Sequence, residues 1–449
     1  MKFLRSQSFP VLTILLAAVA SLLFEACSST KSAVGGGLLT DVTGEFSRRD
    51  TIDIPLSGVS PATVACFPVH ISFSSSEALL AGEANGLRAT VLLKFSPIVS
   101  WTEERYYTLN DQAALDTLTF TPVSVVTDSS SQLRLTYYGH VADSSFCAVQ
   151  TRLVVSSWKE EDSVMTALPA MNAPPFSPVR VDTTASGSVV YLPFAPASLT
   201  QLIADSVSLA VETTSGSSMV RFLSQEGATT YSPQLTLWIK ANVTSKRPEI
   251  AAHDTLIGLT LRPIHDCYRL QRLVPAPAPS AGSLRISAGD AWRGYVRFDR
   301  FPIPGVSDSS GVVRARATAN SAHLQLILGP DGGGSFKRDS AAILIYPLTK
   351  PFDPDSARAG LLNFGTGRLY GVGFNTAETR AAPDVRVFEI ADLINQWWVN
   401  PSSNNGLLIS LSGEAQLVDA LEIRSMRLIV TTTMPPQLIG KPASGEAPR

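Results

Sequence analysis

The sequence predicts an all-β protein built as two tandem jelly-roll-like β-sandwiches, each with a short helix. Short alternating or β-branched runs recur along the chain, turn-forming residues bound them, and helical periodicity is scarce. The chain has 449 residues, of which 45% are hydrophobic and 16% charged, a composition that suits packed cores and excludes a disordered charged polymer. Because this length exceeds what one core usually organises, two domains are expected.

The N-terminal segment, residues 1–26, is typical of a bacterial export signal. Two basic residues precede an apolar run from about Phe9 to Phe24, which is shorter than the roughly 20 residues of a comfortable membrane span. Ala26, Cys27 and the Ser-Ser-Thr that follows resemble the lipobox of bacterial lipoproteins, whose cysteine is diacylated and becomes the new N-terminus. The sequence therefore predicts lipidation of Cys27, with ordinary secretion and an incidental cysteine as the alternative.

A Ser-, Thr-, Gly- and Ala-rich segment, residues 27–45, is predicted to be a flexible tether, and residues 436–449 a disordered tail. The predicted location is the outer membrane of the cell, on either its periplasmic or its surface face. Lys and Arg number 36 against 38 Asp and Glu, so no positive field favours nucleic acid as a partner. The lipid, not charge, would hold the chain at the membrane.

The elements of the mature chain follow from local patterns. The clearest candidate strands are 89–95, 132–138, 207–211, 234–239, 323–328 and 427–430. Apolar residues at helical spacing predict short helices at 197–205 and 391–399. Three prolines within 275–279 lack backbone donors, so this segment is expected to be an extended loop.

An internal repeat organises these elements. Four segments recur in the same order: 50–52 as 254–256, 88–98 as 293–303, 194–199 as 388–393 and 232–237 as 425–430. The displacements are 204, 205, 194 and 193 positions, so a net deletion of about ten residues in the second copy accounts for the drift. The predicted domains are therefore 46–245 and 246–435, with a boundary near Ser245 to Pro248.

Several segments carry a family resemblance. They are Leu79–Gly82, the strand Arg88–Phe95, the Trp-Lys-Glu within 157–166, the Asn-Gly-Leu at 405–407 and the Ser-Pro-Gln-Leu at 232–235. These resemble the strand signatures of the DNRLRE type of extracellular β-sandwich, a disaggregatase-related domain similar to family 96 carbohydrate-binding modules. The resemblance spans most of 46–435 and implies a jelly-roll-like fold and, as in some relatives, polysaccharide binding. It carries no ligand contact onto a particular residue.

Three cysteines remain after Cys27. In an exported protein Cys66 could pair with Cys147 and leave Cys267 free, or all three could be free buried thiols. The sequence leaves both alternatives open. It contains no Cys-x-x-Cys pair and so gives no support to a thiol redox or zinc-ribbon function.

Signatures of catalysis are absent from the sequence. It contains no G-x-S-x-G, no H-E-x-x-H, no P-loop and no Rossmann fingerprint. Five scattered histidines lack metal-ligand spacing: His70, His140, His253, His265 and His323. The carboxylates at 103–104 and 160–162 could serve glycoside hydrolysis or hold a structural Ca²⁺ through hard oxygen ligands, although solvated loops are the favoured interpretation. No enzyme, catalytic residue or other cofactor is predicted.

The candidate ligand-binding residues are Trp101, Tyr106 and Tyr107. They flank an acidic stretch that contains an arginine, and we expect them on a loop, where aromatic faces can stack on the apolar faces of pyranose rings. Trp158 and Trp238 are predicted to lie in the core. Tyr137 and Tyr138 are neighbours on a strand, so one ring is expected on each face. Trp397 and Trp398 are neighbours on a helix, so one is expected to be buried and the other to lie at the edge of the buried face.

Together these observations predict a lipid-anchored cell-envelope protein that acts as a noncatalytic binding module. Polysaccharide or peptidoglycan is the first ligand class. The main alternative is a structural or assembly lipoprotein that contacts other envelope proteins. A glycan hydrolase or lyase is the third.

Overall fold

The structure, a computed structural model, describes residues 47–433 with internal gaps. The longest gaps are 330–341, 356–369 and 374–383, and the others span seven residues or fewer. The predicted signal peptide, the predicted lipidation site Cys27, the predicted tether and the predicted tail lie outside the described residues.

The predicted fold class is confirmed, because the chain is all-β and forms two large, curled antiparallel sheets. The strands up to residue 245 are β1 (Ser47–Ile54), β2 (Ala62–Pro68), β3 (Ala78–Ala84), β4 (Leu87–Phe95), β5 (Trp101–Leu109), β6 (Gln112–Val125), β7 (Gln132–His140), β8 (Phe146–Val154), β9 (Val179–Asp182), β10 (Val189–Pro193), β11 (Val207–Thr213), β12 (Met219–Leu223) and β13 (Gln234–Ser245). The later strands are β14 (His253–Leu261), β15 (His265–Arg272), β16 (Leu284–Ser287), β17 (Trp292–Phe298), β18 (Gly305–Ser307), β19 (Val313–Arg316), β20 (Thr318–Leu328), β21 (Ala342–Pro347), β22 (Tyr370–Gly373), β23 (Val385–Glu389), β24 (Leu407–Leu411) and β25 (Ala420–Thr433).

Both predicted helical segments are helical. The α-helix α1 spans Ala391–Val399 as predicted, whereas the first segment is a 3-10 helix, Pro196–Ile203, and a further 3-10 turn spans Pro401–Ser403. Leu199 and Leu202 are fully buried, and their spacing of three matches the three residues per turn of a 3-10 helix. Helix α1 buries Leu393, Ile394, Trp397 and Trp398. The expectation that one of the two tryptophans lies at an edge is wrong.

The internal repeat is visible in the strand order. The first sheet contains the path β9-β8-β11-β4-β3, and the second contains β22-β21-β24-β17-β16. Strand β4 lies at the same place in the first path as β17 in the second, in agreement with the sequence match between 88–98 and 293–303. The same supersecondary unit has therefore been built twice.

The N-terminal strand pair of each repeat lies in the sheet of the other repeat. Strand β15 pairs with β4, with Gln271 opposite Arg88, and β2 pairs with β17, with Phe67 opposite Arg293. Gln271 lies 204 positions after Phe67 and Arg293 lies 205 after Arg88, which are the displacements of the sequence repeat. Likewise β14 pairs with β13 and β1 with β25. The exchange of strands is thus reciprocal.

The exchanged strands contribute to the cores. Tyr268 and Leu270 of β15 lie in the main core of the first sheet, and Phe67 packs with Tyr295 and Leu408 in a core of the second. Each such side chain contributes roughly 1.5–3 kcal/mol when it is fully buried. The chain passes from the first sheet to the second between Arg272, at the end of β15, and Leu284, at the start of β16. The domain boundary near residue 246 stays a prediction.

Backbone proximity divides the chain into two compact units. One comprises Thr51–Phe301 with Ala322–Ile429 and contains most strands of both sheets. The described residues of the other unit lie within 47–50, 305–321 and 430–433, and they include the two-stranded ribbon of β18 and β19.

The three described cysteines are all free thiols. Cys66 lies on β2 in the second sheet and Cys147 on β8 in the first, so the disulfide considered for this pair is absent. All three thiols are free as in the alternative, but only Cys147 and Cys267 are buried, and Cys66 is partly exposed. The Cys66 thiol donates a hydrogen bond to the Arg285 carbonyl oxygen at 3.0 Å. Burial raises the pKa of Cys147 and of Cys267 to about 12.

Candidate functional site

The three predicted ligand-binding residues lie on an edge strand of the first sheet. Trp101, Tyr106 and Tyr107 belong to β5, which pairs along its whole length with β6. The expectation that they lie on a loop is wrong, because the stretch from Trp101 to Leu109 is rich in Thr, Tyr and Trp, which favour a pleated strand. The side chain of Tyr107 lies outside the described part of the structure.

Trp101 lies on the inner face of β5. Its ring stacks on Phe120 of β6 with centroids 5.1 Å apart and an interplanar angle of 7°. Its indole N–H donates to Glu103 Oε1 at 3.0 Å, and Arg105 donates to Glu103 Oε2 at 2.8 Å. Hydrogen bonds from Trp101 and then Arg105 lower the pKa of Glu103. Trp101 is therefore packed and hydrogen-bonded, with part of its ring left exposed.

Tyr106 lies on the opposite face of the same strand. Successive side chains of a strand alternate between its faces, so residues 101 and 106 point in opposite directions. Tyr106 is 78% exposed and lies opposite Leu115, which is also exposed. Trp101 and Tyr106 consequently cannot form one flat platform.

Trp238 was expected in the core, but it lies on the solvent face of β13 and is 40% exposed. It pairs with Gly258 of β14, and a Cβ added to Gly258 would lie 3.4 Å from Cη2 and Cζ2 of the indole. The indole therefore packs across the glycine and leaves surface to solvent. Alternation could have revealed this placement, because Leu237 and Ile239 are the buried neighbours.

Polar and apolar groups surround Trp238 on this face. Lys240 forms an ion pair with Asp254 at 2.8 Å, and the side-chain amide of Asn242 donates to the same carboxylate at 3.0 Å. These two hydrogen bonds, that from Lys240 first, lower the pKa of Asp254. Leu256, two residues from Gly258 on β14, is 62% exposed.

The same face continues across β7 to β10. Gln234 lies four residues before Trp238 and pairs with Arg134, which in turn pairs with Tyr191. The Arg134 guanidinium donates to Gln234 Oε1 at 3.0 Å, and Tyr191 is 54% exposed. We call Tyr191, Arg134, Gln234 and Trp238 the aromatic strip.

The aromatic strip ends in two exposed rings with polar groups between them. From the strand spacing and the rise per residue, the two rings lie on the order of 15–20 Å apart. Such an arrangement suits an extended ligand that has alternating apolar faces and hydroxyl groups. Tyr106 lies on the same side of the sheet, roughly 30 Å further along.

A separate cleft of about 350 Å³ lies beside helix α1 in the second repeat. Its lining includes Asp392, Gln396, Asn400 and Asn405, with Leu393 and Trp397 as apolar members. Trp397 is almost wholly buried, so its ring does not offer an open face. The cleft is polar, but it lacks an exposed aromatic platform.

The predicted carboxylate clusters are not arranged as pairs that flank a bond. Glu103 and Glu104 are successive residues of β5 and lie on opposite faces. Glu160 Oε2 lies 2.8 Å from His265 Nδ1, and its Oε1 accepts the Asp266 backbone N–H at 3.2 Å. Asp162 Oδ2 accepts the Lys159 backbone N–H at 3.3 Å. In each cluster, the carboxylates therefore face different groups and do not point towards a common centre.

The remaining aromatics agree in part with expectation. Tyr137 is buried and Tyr138 exposed, as predicted for opposite strand faces, and the Arg221 guanidinium lies 5.6 Å from the Tyr138 ring centroid. Trp158 packs partly buried against a cluster that includes Leu92 and Cys267, which supports its predicted packing role.

Comparison with family models and with curated protein sequences found no match to this chain. Within the described residues, no helix combines the length and the apolar character needed to cross a bilayer.

Proposed function

We propose that this chain is a lipid-anchored cell-envelope protein that binds polysaccharide without catalysing a reaction. The export signal and Cys27 would place it at the outer membrane, and the two sandwiches would present the binding surface. The family resemblance at strands such as Arg88–Phe95 supports the same ligand class.

The exposed face of Trp238 carries the proposal. A ligand that covers the exposed part of this indole would gain free energy, since burying a large apolar side chain fully contributes roughly 1.5–3 kcal/mol. Gly258 leaves room for the indole to pack against the sheet, while Arg134 and Gln234 supply hydrogen-bond donors about four residues along β13 from Trp238. A chain of several pyranose rings offers apolar faces for the two aromatic rings and hydroxyl groups for the donors between them.

Binding can be tested with affinity electrophoresis in soluble polysaccharides and with pull-down on insoluble ones, including peptidoglycan. The natural chain should bind at least one of them, and Trp238→Ala or Tyr191→Ala should weaken that binding by about tenfold, which corresponds to about 1.4 kcal/mol. Phe176→Ala is the matched control, because it removes another exposed aromatic ring, and this residue lies between β8 and β9, outside the strands that form the aromatic strip. Circular dichroism would verify that each variant folds.

The ligand-binding residues predicted from the sequence can be tested in the same experiment. Tyr106→Ala would show whether a long ligand reaches the far end of the face, and Trp101→Ala would show whether the inner ring contributes. If binding vanishes in Trp101→Ala alone, the site lies at the edge strand and not at the aromatic strip.

The lipid anchor is tested separately. Cys27→Ser should move the chain from the membrane fraction to the soluble fraction.

Two outcomes would overturn the proposal. Binding to no polysaccharide, together with a stable protein complex recovered by cross-linking, would indicate an assembly lipoprotein. Turnover of a polysaccharide that requires Glu103 or Glu160 would indicate a hydrolase or lyase.

A further inference from the structure

Three carboxylates from distant parts of the sequence converge beside the exchanged strand β15. One carboxylate oxygen each from Glu160, Glu226 and Asp266 lies within 4.8 Å of the other two. Two ligands on opposite sides of a Ca²⁺ ion are separated by about 4.8 Å, since each Ca–O distance is about 2.4 Å. The convergence therefore has the dimensions of a coordination sphere for a hard divalent cation.

Asp266 brings to this cluster a buried carboxylate with an unpartnered oxygen. The residue is only 1% exposed, and its Oδ2 accepts the backbone N–H of Gln225 at 2.8 Å. Its Oδ1 is buried and has no hydrogen-bond partner among the described residues. A buried carboxylate oxygen without a partner is costly, and a cation would satisfy it.

A buried arginine positions the turn that carries Glu160. Arg269 of β15 is almost wholly buried and donates to the carbonyl oxygens of Asp162, at 2.6 Å, and of Lys159. Its guanidinium also lies 3.3 Å from the Asp162 carboxylate. Asp162 is thus engaged by Arg269, while Glu160 turns towards Asp266. The cluster is built by the fold and differs from the local run 160–162 that the sequence suggested.

Three ionised carboxylates at this separation repel one another, and a cation between them would offset the repulsion. Oε2 of Glu160 also lies 2.8 Å from Nδ1 of His265, so Glu160 is held in place by contacts on β15.

We propose that Glu160, Glu226 and Asp266 bind a hard divalent cation, of which Ca²⁺ is the best fit in size. The ion would join the turn at 158–162, the loop after β12 and the exchanged strand β15. It would therefore fasten the N-terminal strand pair of the second repeat to the sheet of the first. This proposal does not depend on polysaccharide binding.

The test uses the full chain after removal of metal with a chelator, titrated with Ca²⁺ and separately with Mg²⁺ by isothermal calorimetry. A site with three carboxylates should bind Ca²⁺ with a Kd of about 10⁻⁴–10⁻³ M, the range of extracellular modules, and thermal unfolding should shift upward as the site fills. Glu226→Gln should weaken Kd by at least about tenfold, because it removes one ligand charge. Glu226 is exposed, so this variant should fold.

Glu161→Gln is the matched control, since Glu161 is an exposed neighbour on the same turn and lies outside the cluster. Its Kd should equal that of the natural chain. Absence of heat and of any thermal shift with either metal would overturn the proposal, as would equal losses in Glu226→Gln and Glu161→Gln. A metal-independent gain of stability in Glu226→Gln without metal binding would also overturn it, because it would indicate a proton shared between carboxyl groups.

Discussion

Trp101 illustrates how one side chain can support both the edge of a sheet and a local charge. Its ring stacks on Phe120, and its N–H holds Glu103. We expect Trp101→Ala to lower the free energy of unfolding by about 1–3 kcal/mol, below the range for a fully buried tryptophan because the ring is only partly covered. Urea denaturation checks this value. Tyr106→Ala is the control, and a loss below about 0.5 kcal/mol is expected there.

The buried thiols should be inert in the folded chain. With a pKa of about 12, Cys147 and Cys267 are ionised to only about one part in 10⁴ at pH 8, so a disulfide reagent should label them only after denaturation. Their ordinary pKa is 9.0, and unfolding therefore ionises them above about pH 9. The free energy of unfolding should fall as the pH rises from 9 towards 12. Rapid labelling of either thiol in the native chain would contradict this prediction.

Single residues show where the sequence sufficed and where it did not. The alternation around Tyr137 and Tyr138 predicted their placement correctly, and the same reasoning applied to Trp238 would have placed it on the solvent face. The contact between Trp238 and Gly258 joins two strands through pairing that the sequence does not display. The convergence of Glu226 and Asp266 likewise depends on a chain path that no local pattern encodes.

At the level of the element, Gly406 shows what the start of β24 requires. Its φ is +93°, and a Cβ there would lie 2.5 Å from Cε2 of Tyr295 and 2.8 Å from the Val296 carbonyl oxygen. Gly406→Ala should therefore lower stability by about 3 kcal/mol or more, from backbone strain and collision together. Gly187→Ala isolates the strain, because Gly187 has φ +85° and open space around it. Equal losses in the two variants, measured by thermal unfolding, would show that the collision is relieved.

The exchange of strands could not be predicted from the repeat. Strands β2 and β15 are equivalent in sequence, as are β4 and β17, so either member of the first pair could lie beside either member of the second. Only the fit of side chains decides between these partners. The repeat thus predicted which kinds of strand would pair, but not which copy each strand would join.

At the scale of the whole molecule, the strand order predicts different stabilities for two fragments of the chain. The fragment 76–275 contains every strand of the first sheet, from β3 to β15. In the fragment 46–245, β2 would have to replace β15 and present Val64 and Cys66 at the positions of Tyr268 and Leu270. The smaller side chains would leave cavities, so we expect 76–275 to be more stable by at least about 2 kcal/mol.

This expectation can be checked by urea denaturation of both fragments, with size-exclusion chromatography to establish that each is monomeric. A fragment 46–245 as stable as 76–275 would place the folding boundary near residue 246 and would make the exchange of strands energetically neutral.

The pairing of β2 with β17 also determines how long β2 remains without a partner while the chain is being synthesised. Phe298, the last residue of β17, lies 230 positions after Pro68, the last residue of β2. At about 5–20 residues per second, the ribosome needs roughly 12–46 s to supply the partner strand. Cys66 can report this delay, since it should react with an alkylating reagent in nascent chains that end before β17 and become protected once β17 has emerged. One of the first strands to be made therefore waits unpaired until the second half of the chain supplies its partner.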